Sequence, residues 1–248
     1  MEILVLIIAA FITSSISAIL GMGGGIILLG IMAIIIPDGY MVIALHGIIQ
    51  LISNTTRTYV FKPHIKQKIV REFFVGALIG AGMSAFIILV VIKFYEVSLA
   101  SEIKVDFLKP IIGIFIVWYL FLKKSKKEKE SKSFVKVGNI SGFASIFIGA
   151  TGPLIAPFFL NHNLMKEEII ANKAACQMIT HLTKIPLFIF FFNVDYFSEY
   201  KLLLPLIMAV FIGTIFGKKI LGRIPEKIFN ILFRSALFII AIRLILGY

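Results

Sequence analysis

The chain has 248 residues, of which 59% are hydrophobic and 15% are charged, and its mean hydropathy is +1.00. Water-soluble domains of this size are not so apolar, and several apolar runs reach the roughly 20 residues that cross a bilayer. The net charge of +12 does not indicate nucleic-acid binding, because most lysines and arginines occupy short loops between apolar runs, as the positive-inside bias predicts. The composition therefore indicates a multi-pass protein of the cell (inner) membrane.

Apolar runs predict membrane helices along the whole chain. Glycine interrupts the first segment, 2–36, and a later one, 136–161. Two further spans, 40–61 and 167–192, are apolar but carry a set of polar side chains. The remaining clear spans, in chain order, are 73–92, 105–122, 202–217 and 228–247. We therefore predict an all-α polytopic membrane protein.

Glycine-rich breaks occur at 21–25 and at 149–153. Glycine allows positive φ and close backbone approach, and a helix broken at membrane depth leaves backbone N–H groups that need partners. A helix that begins at such a break directs N–H donors and a positive dipole end toward an anion. Tight helix packing without a ligand is the alternative interpretation. The candidate cradle residues are Gly23, Gly24, Gly25, Thr151 and Gly152.

One polar pattern occurs twice within the apolar sequence. The first copy is His46, Gln50, Ser53, Asn54 and Arg57. The second copy is Lys173, Gln177, Thr180, His181 and Lys184. Both copies have the same spacing, and at about 100° per residue each set lies on one helix face. Duplicated polar stripes that can bind anions favour a transporter with an internal repeat.

The residue types in the two stripes suit an oxyanion. Gln50 and Gln177 lie near the middle of their spans, so we place them at the bilayer midplane, where an amide donates without the cost of a buried charge. Arg57 suits bidentate contact with sulfonate-like oxygens, whereas Lys184 acts more as a point charge. Snorkelling toward the cytoplasmic face is the alternative for Arg57.

The histidines leave several roles open. His46 and His181 are candidate ligands, proton carriers or packing residues hydrogen-bonded across helices. Without carboxylates beside them they form a poor metal site. The single cysteine, Cys176, excludes an internal disulfide and a cysteine-based metal cluster. We therefore predict no metal and no cofactor.

The duplication divides the chain into a first repeat, 1–122, and a second repeat, 137–248. Between them, residues 123–136 include seven lysines and are predicted to form a basic cytoplasmic linker. A small-x3-small spacing suited to close helix contact also occurs in each half. It is found at Gly76 and Gly80 and again at Gly213 and Gly217.

Loop charges favour one of two topologies. If each half is a glycine-broken hairpin plus three membrane helices, the odd number of crossings inverts the second half. The inside loops would then be 62–71, 123–136, 161–168 and 218–227. These loops carry sixteen basic residues against four outside, whereas eight simple transmembrane helices would give twelve against eight. The positive-inside rule therefore favours inverted repeats, with eight simple helices as the alternative.

Two motifs resemble a known family. They are Gly-x-Gly-Gly-Gly at 21–25 and His-Gly-x-x-Gln-x-x-x-Asn-x-x-Arg at 46–57. In these motifs, and in the duplication around the basic linker, the chain resembles the TauE/SafE sulfite exporter family, also called the 4-toluene sulfonate uptake permease family. The resemblance implies transport of sulfite, a sulfonate or another small sulfur-containing or organic anion. His181 stands where the first half has Asn54, so the two half-sites differ chemically.

The acidic residues bear on the driving force. All thirteen are predicted to lie in loops or at span ends, which leaves none at mid-depth to bind sodium or relay protons. An inside-negative potential favours moving one negative charge outward by roughly 2.3 kcal/mol per 100 mV. We therefore predict export of the anion driven by membrane potential. Proton-coupled uptake through the histidines and an anion channel are the alternatives.

A membrane enzyme is the competing class. It would need a nucleophile with a base, or a metal cluster, at one depth, and no such set occurs in the sequence. The predicted partners are the lipid bilayer and a small anionic substrate, with no nucleic acid. The exact substrate and the oligomeric state remain open.

Overall fold

The computed structural model describes residues 2–20, 23–103, 108–118, 121, 133–160 and 164–219, together with scattered residues between 235 and 246. Within these ranges the regular structure is helical, without a strand. The helices are α1 (Glu2–Leu20), α2 (Gly24–Ile35), α3 (Gly39–Val60), α4 (Gln67–Phe94), α5 (Leu108–Val117), α6 (Phe134–Ile148), α7 (Gly152–Leu160), α8 (Lys166–Phe192) and α9 (Tyr200–Lys219). Short 3-10 turns follow α3 and α4.

Three helices are long and apolar enough to cross a membrane, namely Gln67–Phe94, Glu167–Phe192 and Tyr200–Lys219. They coincide with three spans predicted from the sequence. The first polar stripe lies on α3, which has 22 residues. The predicted span 105–122 contains α5 within the described residues. Most of the predicted span 228–247 and of the linker lies outside the described residues.

Local sequence explains the breaks between helices. Gly23 precedes α2 with φ 99°, and Gly149 follows α6 with φ 80°. Both values lie in the region that favours glycine, so each break depends on its glycine. Ser133 is the N-cap residue of α6, and its side-chain oxygen accepts a hydrogen bond from the Val135 N–H at 3.3 Å. This cap is the usual start signal of a helix.

The outer surface of α4 is apolar. Its exposed side chains include Leu78, Phe86 and Leu89, while Gly80 and Ser84 are buried. An apolar outer face with small and polar residues inside is the arrangement that a bilayer favours, because lipid offers no hydrogen bonds.

The two halves of the chain interlock. The most extensive contacts join α4 to α6, α1 to α9, and α3 to α8. At two of these contacts the predicted small-x3-small residues are found. Gly76 and Gly80 lie against the α6 backbone, and Gly213 and Gly217 lie against α1. These glycines therefore permit the close approach between the halves.

The contacts also give the relative directions of the helices. Along α4 and α6 both residue numbers rise together, because Gly80 lies against Asn139 and Ser84 donates to the Phe143 carbonyl oxygen at 2.9 Å. These two helices are therefore parallel, and the glycine contacts show the same for α1 and α9.

The central helices α3 and α8 run in opposite directions. Tyr40, at the start of α3, stacks on Phe192 at the end of α8, with ring centroids 5.7 Å apart. At the other end, Asn172 near the start of α8 donates to the His64 carbonyl oxygen at 3.1 Å, just after α3. The two striped helices are therefore antiparallel.

Different interactions close the two ends of this α3–α8 pair. At one end, which we call the polar end, Lys66 pairs with Glu168 at 3.2 Å, and the Lys66 N–H donates to Asn172 at 2.7 Å. At the opposite, aromatic end, Phe192 stacks on both Tyr40 and Phe188, the latter at 4.8 Å between ring centroids. The polar end also gathers basic side chains from several loops.

Two glycines of α4 make a matched test of this packing. A Cβ atom on Gly80 would collide with the Asn139 carbonyl oxygen, whereas one on Gly82 has nothing within 4 Å. We expect Gly80→Ala to lower the unfolding free energy by about 1–3 kcal/mol through overpacking. We expect Gly82→Ala to raise it by up to about 1 kcal/mol through helix propensity. Thermal unfolding in detergent measures both, and equal shifts would contradict the α4–α6 contact.

Candidate functional site

A small cavity lies between the two glycine breaks and the two polar stripes. Its volume is about 20 Å³, which is room for about one water molecule. It is lined by Ser17, Gly23, Gly25, Ile26, His46, Gln50, Arg57, Ala150, Gly152, Lys173, Gln177 and His181. Side chains from both halves of the chain therefore surround one central space.

The two glutamines hold equivalent positions around this cavity. A Cβ atom placed on Gly25 would lie 3.0 Å from Gln50 Oε1, and one placed on Gly152 would lie 2.6 Å from Gln177 Nε2. The two residues of each pair are 25 positions apart in the sequence. In each half, a side-chain amide and the first turn of a broken helix thus converge on the same spot. Amide and helix N-terminal donors together suit an anion.

The histidines face each other across the interface of α3 and α8. Their ring centroids are 6.2 Å apart, and both side chains are buried. His46 Nε2 donates to the Gly25 carbonyl oxygen at 2.8 Å. Nδ1 of His46 and Nδ1 of His181 are buried without a hydrogen-bond partner among the described residues. In the part of the chain that the structure describes, no cluster of three potential metal ligands occurs.

Arg57 is held in place by its neighbours. It is 3% exposed, and its Nη1 donates to the Ser17 carbonyl oxygen at 3.3 Å. Its Nη2 donates to Asn54 Oδ1, while Asn54 Nδ2 donates to the Gln50 carbonyl oxygen at 2.8 Å. Arg57 Nε has no partner among the described residues. Arg57 therefore faces inward rather than snorkelling, and Asn54 supports it from behind the cavity.

Two lysines add further buried charge. Lys173 lines the cavity and is 1% exposed. Lys184 is fully buried, packs over Gly47, and donates from Nζ to the Gly149 carbonyl oxygen at 3.2 Å. A cation suits this position, because the C-terminal end of α6 carries partial negative charge. Among the described residues that line the cavity, none is Asp or Glu.

The structure brings most of the predicted site residues together. Those that line the cavity are Gly23, Gly25, His46, Gln50, Arg57, Gly152, Lys173, Gln177 and His181. Four others lie just behind it. Gly24 packs against Thr13, and Asn54 accepts a hydrogen bond from Arg57. Thr151 Oγ1 accepts from Ser141 Oγ at 3.0 Å, and Lys184 donates to the Gly149 carbonyl oxygen.

Sequence reasoning missed the contribution of α1. Ser17 lines the cavity, and its carbonyl oxygen accepts from Arg57. A signal was present, because Ser17 and Ser145 each stand four residues before the first glycine of a break. Thr13 and Ser141 likewise stand eight residues before it. Both pairs are buried, which marks the inner face of α1 and of α6.

Comparison with known proteins identifies the family. A family model described as Sulfite exporter TauE/SafE matches residues 6–244, nearly the whole chain. No curated protein and no solved structure gives a significant match. The three apolar helices of membrane length agree with a membrane protein of this family. The chain belongs to the TauE/SafE sulfite exporter family of membrane transporters.

Proposed function

We propose that this protein exports a small sulfur-containing or organic oxyanion, such as sulfite or a sulfonate, across the inner membrane. The observation that carries the proposal is a set of unpaired polar atoms on side chains that line the cavity. Nδ1 of His46, Nε of Arg57 and Nδ1 of His181 are all buried without a partner among the described residues. Buried polar groups are normally satisfied, so such a cluster favours a ligand that supplies the missing bonds.

The charge of the site favours an anion. Arg57 and Lys184 are each at least 97% buried, and no carboxylate lines the cavity within the described residues. Burying cations without counter-charge is costly in a membrane. An anion at about 4 Å from one cation recovers about 4 kcal/mol at an effective dielectric constant of about 20. A substrate that brings negative charge therefore completes the site.

We further infer that the halves are inverted repeats, each a glycine-broken hairpin plus three membrane helices. Three contacts support this relation, since α4 packs on α6 as α1 packs on α9, and the equivalent helices α3 and α8 are antiparallel. In the proposed arrangement, a twofold axis in the membrane plane exchanges α1 with α6, α3 with α8, and α4 with α9. Binding at the interface of such repeats is typical of alternating-access transporters.

Membrane potential is the proposed driving force. No Asp or Glu among the described residues lines the cavity to bind sodium, and an inside-negative potential favours outward anion movement by roughly 2.3 kcal/mol per charge per 100 mV. An anion channel is the second candidate. The small cavity, together with the closed polar and aromatic ends, favours a carrier that rearranges over a pore that stays open.

Flux through reconstituted vesicles tests this function. We expect an inside-negative potential to accelerate sulfite efflux and to shift its equilibrium ratio roughly 50-fold per 100 mV for one charge moved. The flux should saturate, be stimulated by sulfite on the opposite side, and not require sodium. A strict requirement for sodium, or sulfite movement that ignores voltage, would contradict the proposed driving force. Non-saturating flux would favour the channel.

A further inference from the structure

His46 has one ring nitrogen with a partner and one without. Nε2 lies 2.8 Å from the Gly25 carbonyl oxygen, and because a carbonyl oxygen only accepts, Nε2 carries the hydrogen. In a neutral imidazole the other nitrogen, Nδ1, then presents a lone pair. Nδ1 is buried, has no partner among the described residues, and belongs to a side chain that lines the cavity. A residue that lines the cavity thus carries a buried, unpaired proton acceptor of fixed tautomer.

A deprotonated oxyanion does not match this acceptor. Its oxygens also present only lone pairs, so direct contact with Nδ1 places two acceptors together. A proton on Nδ1 converts the contact into a charge-assisted N–H···O bond. The same anion accepts hydrogen bonds from donors elsewhere in the cavity. The hydrogen-bonding chemistry of Nδ1 therefore favours an anion that enters together with one proton.

The surrounding charges make protonation of His46 and binding of the anion depend on each other. The charged or titratable groups near His46 are Arg57 from α3, and Lys173, His181 and Lys184 from α8. Helices α2 and α7 contain no titratable residue, and in α1 only Glu2 is one. Since like charges repel at close range, a proton on His46 requires the negative charge of the anion beside it.

We propose that His46 Nδ1 is a proton-binding site that fills only together with the anion. The proposal rests on the proposed anion transport and adds its stoichiometry. A proton from the water phase forms the Nδ1–H bond as the anion binds, and the same bond breaks on release at the other side. A divalent oxyanion then crosses as one net negative charge, so that membrane potential still drives it outward.

Sulfate binding to the purified protein tests this site. Sulfate stays divalent near neutral pH, so a proton taken up on binding must go to the protein. We expect about one proton per bound sulfate in weakly buffered solution with a pH dye, and an affinity that falls about tenfold per pH unit. His46→Gln keeps a donor for the Gly25 carbonyl oxygen but cannot be protonated. It should bind sulfate without proton uptake and without this pH dependence.

The matched control is His64→Gln, because His64 lies in the loop after α3, outside the cavity, and this variant should behave like the wild type. Sulfate binding by the wild type without proton uptake overturns the proton site and leaves the proposed transport standing. Proton uptake that persists in His46→Gln and disappears in His181→Gln overturns the assignment of the proton site to His46. If His46→Gln fails to fold, His181→Gln decides, because loss of proton uptake in that variant overturns the assignment and persistence of proton uptake supports it. Failure of the wild type to bind either sulfate or sulfite contradicts the proposed function itself.

Discussion

Gln50→Ala and Gln177→Ala should each lower sulfite transport by about 10- to 100-fold while the protein stays folded. The reason is that an oxyanion leaving water must recover its hydrogen bonds inside, and a bond to a charged group contributes about 1.5–3 kcal/mol. Each alanine also leaves an empty space beside Gly25 or Gly152, which widens the cavity without supplying a donor. Initial rates of sulfite flux in reconstituted vesicles measure the loss.

Gln67→Ala is the matched control, because Gln67 lies at the start of α4, away from the cavity. It should transport at the wild-type rate. Thermal unfolding of all three variants separates a lost donor from a lost fold. Near-normal flux in both cavity variants would show that the glutamines do not contact the anion, and the site would then have to be placed elsewhere.

Cysteine labelling from outside should modify the loop after α8 and leave the end of α9 untouched. Ser198 and Lys219 are both exposed, so Ser198→Cys and Lys219→Cys each present an accessible thiol. The native Cys176 is buried and should not react with a membrane-impermeant reagent. We expect nearly complete labelling at position 198 in intact cells, and labelling at 219 only after the membrane is opened.

This result follows from the positions of the loops around α3 and α8. Lys218 donates to the Val60 carbonyl oxygen at 3.4 Å, which places the end of α9 at the polar end, beside the basic loop after α3. The loop at 193–199 follows Phe192 at the aromatic end. The positive-inside rule assigns the polar end to the cytoplasm. Labelling of position 219 from outside would reject both the orientation and the inverted arrangement.

Much of the helical layout could be predicted from the sequence. Apolar runs gave the positions of α4, α8 and α9, because a helix that crosses a membrane must be long and apolar. The glycine runs correctly marked where α1 and α6 end. The pairing of helices could not be predicted, because small residues show that some helix approaches closely and do not show which one. The structure was needed to show that α4 packs mainly on α6 of the second repeat and not on a helix of the first repeat.

The part of the candidate site that depends on the helical periodicity of the polar residues could be predicted from the sequence. The stripes placed His46, Gln50 and Gln177 on inward faces, and these residues do line the cavity. Lys184 shows the limit of such reasoning. Its position on the stripe is as predicted, but a long flexible side chain can turn, and Nζ reaches the Gly149 carbonyl oxygen instead of the cavity. Helix phase fixes where a Cα atom lies and leaves the reach of a long side chain undetermined.

An ion pair closes one end of the α3–α8 pair and stacked aromatic rings close the other. This difference makes the resting orientation of the proposed carrier, when no anion is bound, sensitive to ionic strength. The Lys66–Glu168 pair has side chains 45% and 15% exposed, so rising ionic strength screens it. The stacked rings of Tyr40 and Phe192 carry no charge, so screening does not weaken them. With the polar end on the inside, as we propose, cytoplasmic salt weakens that closure alone. The empty carrier of our proposal then rests with its binding site turned inward, ready to collect the next anion.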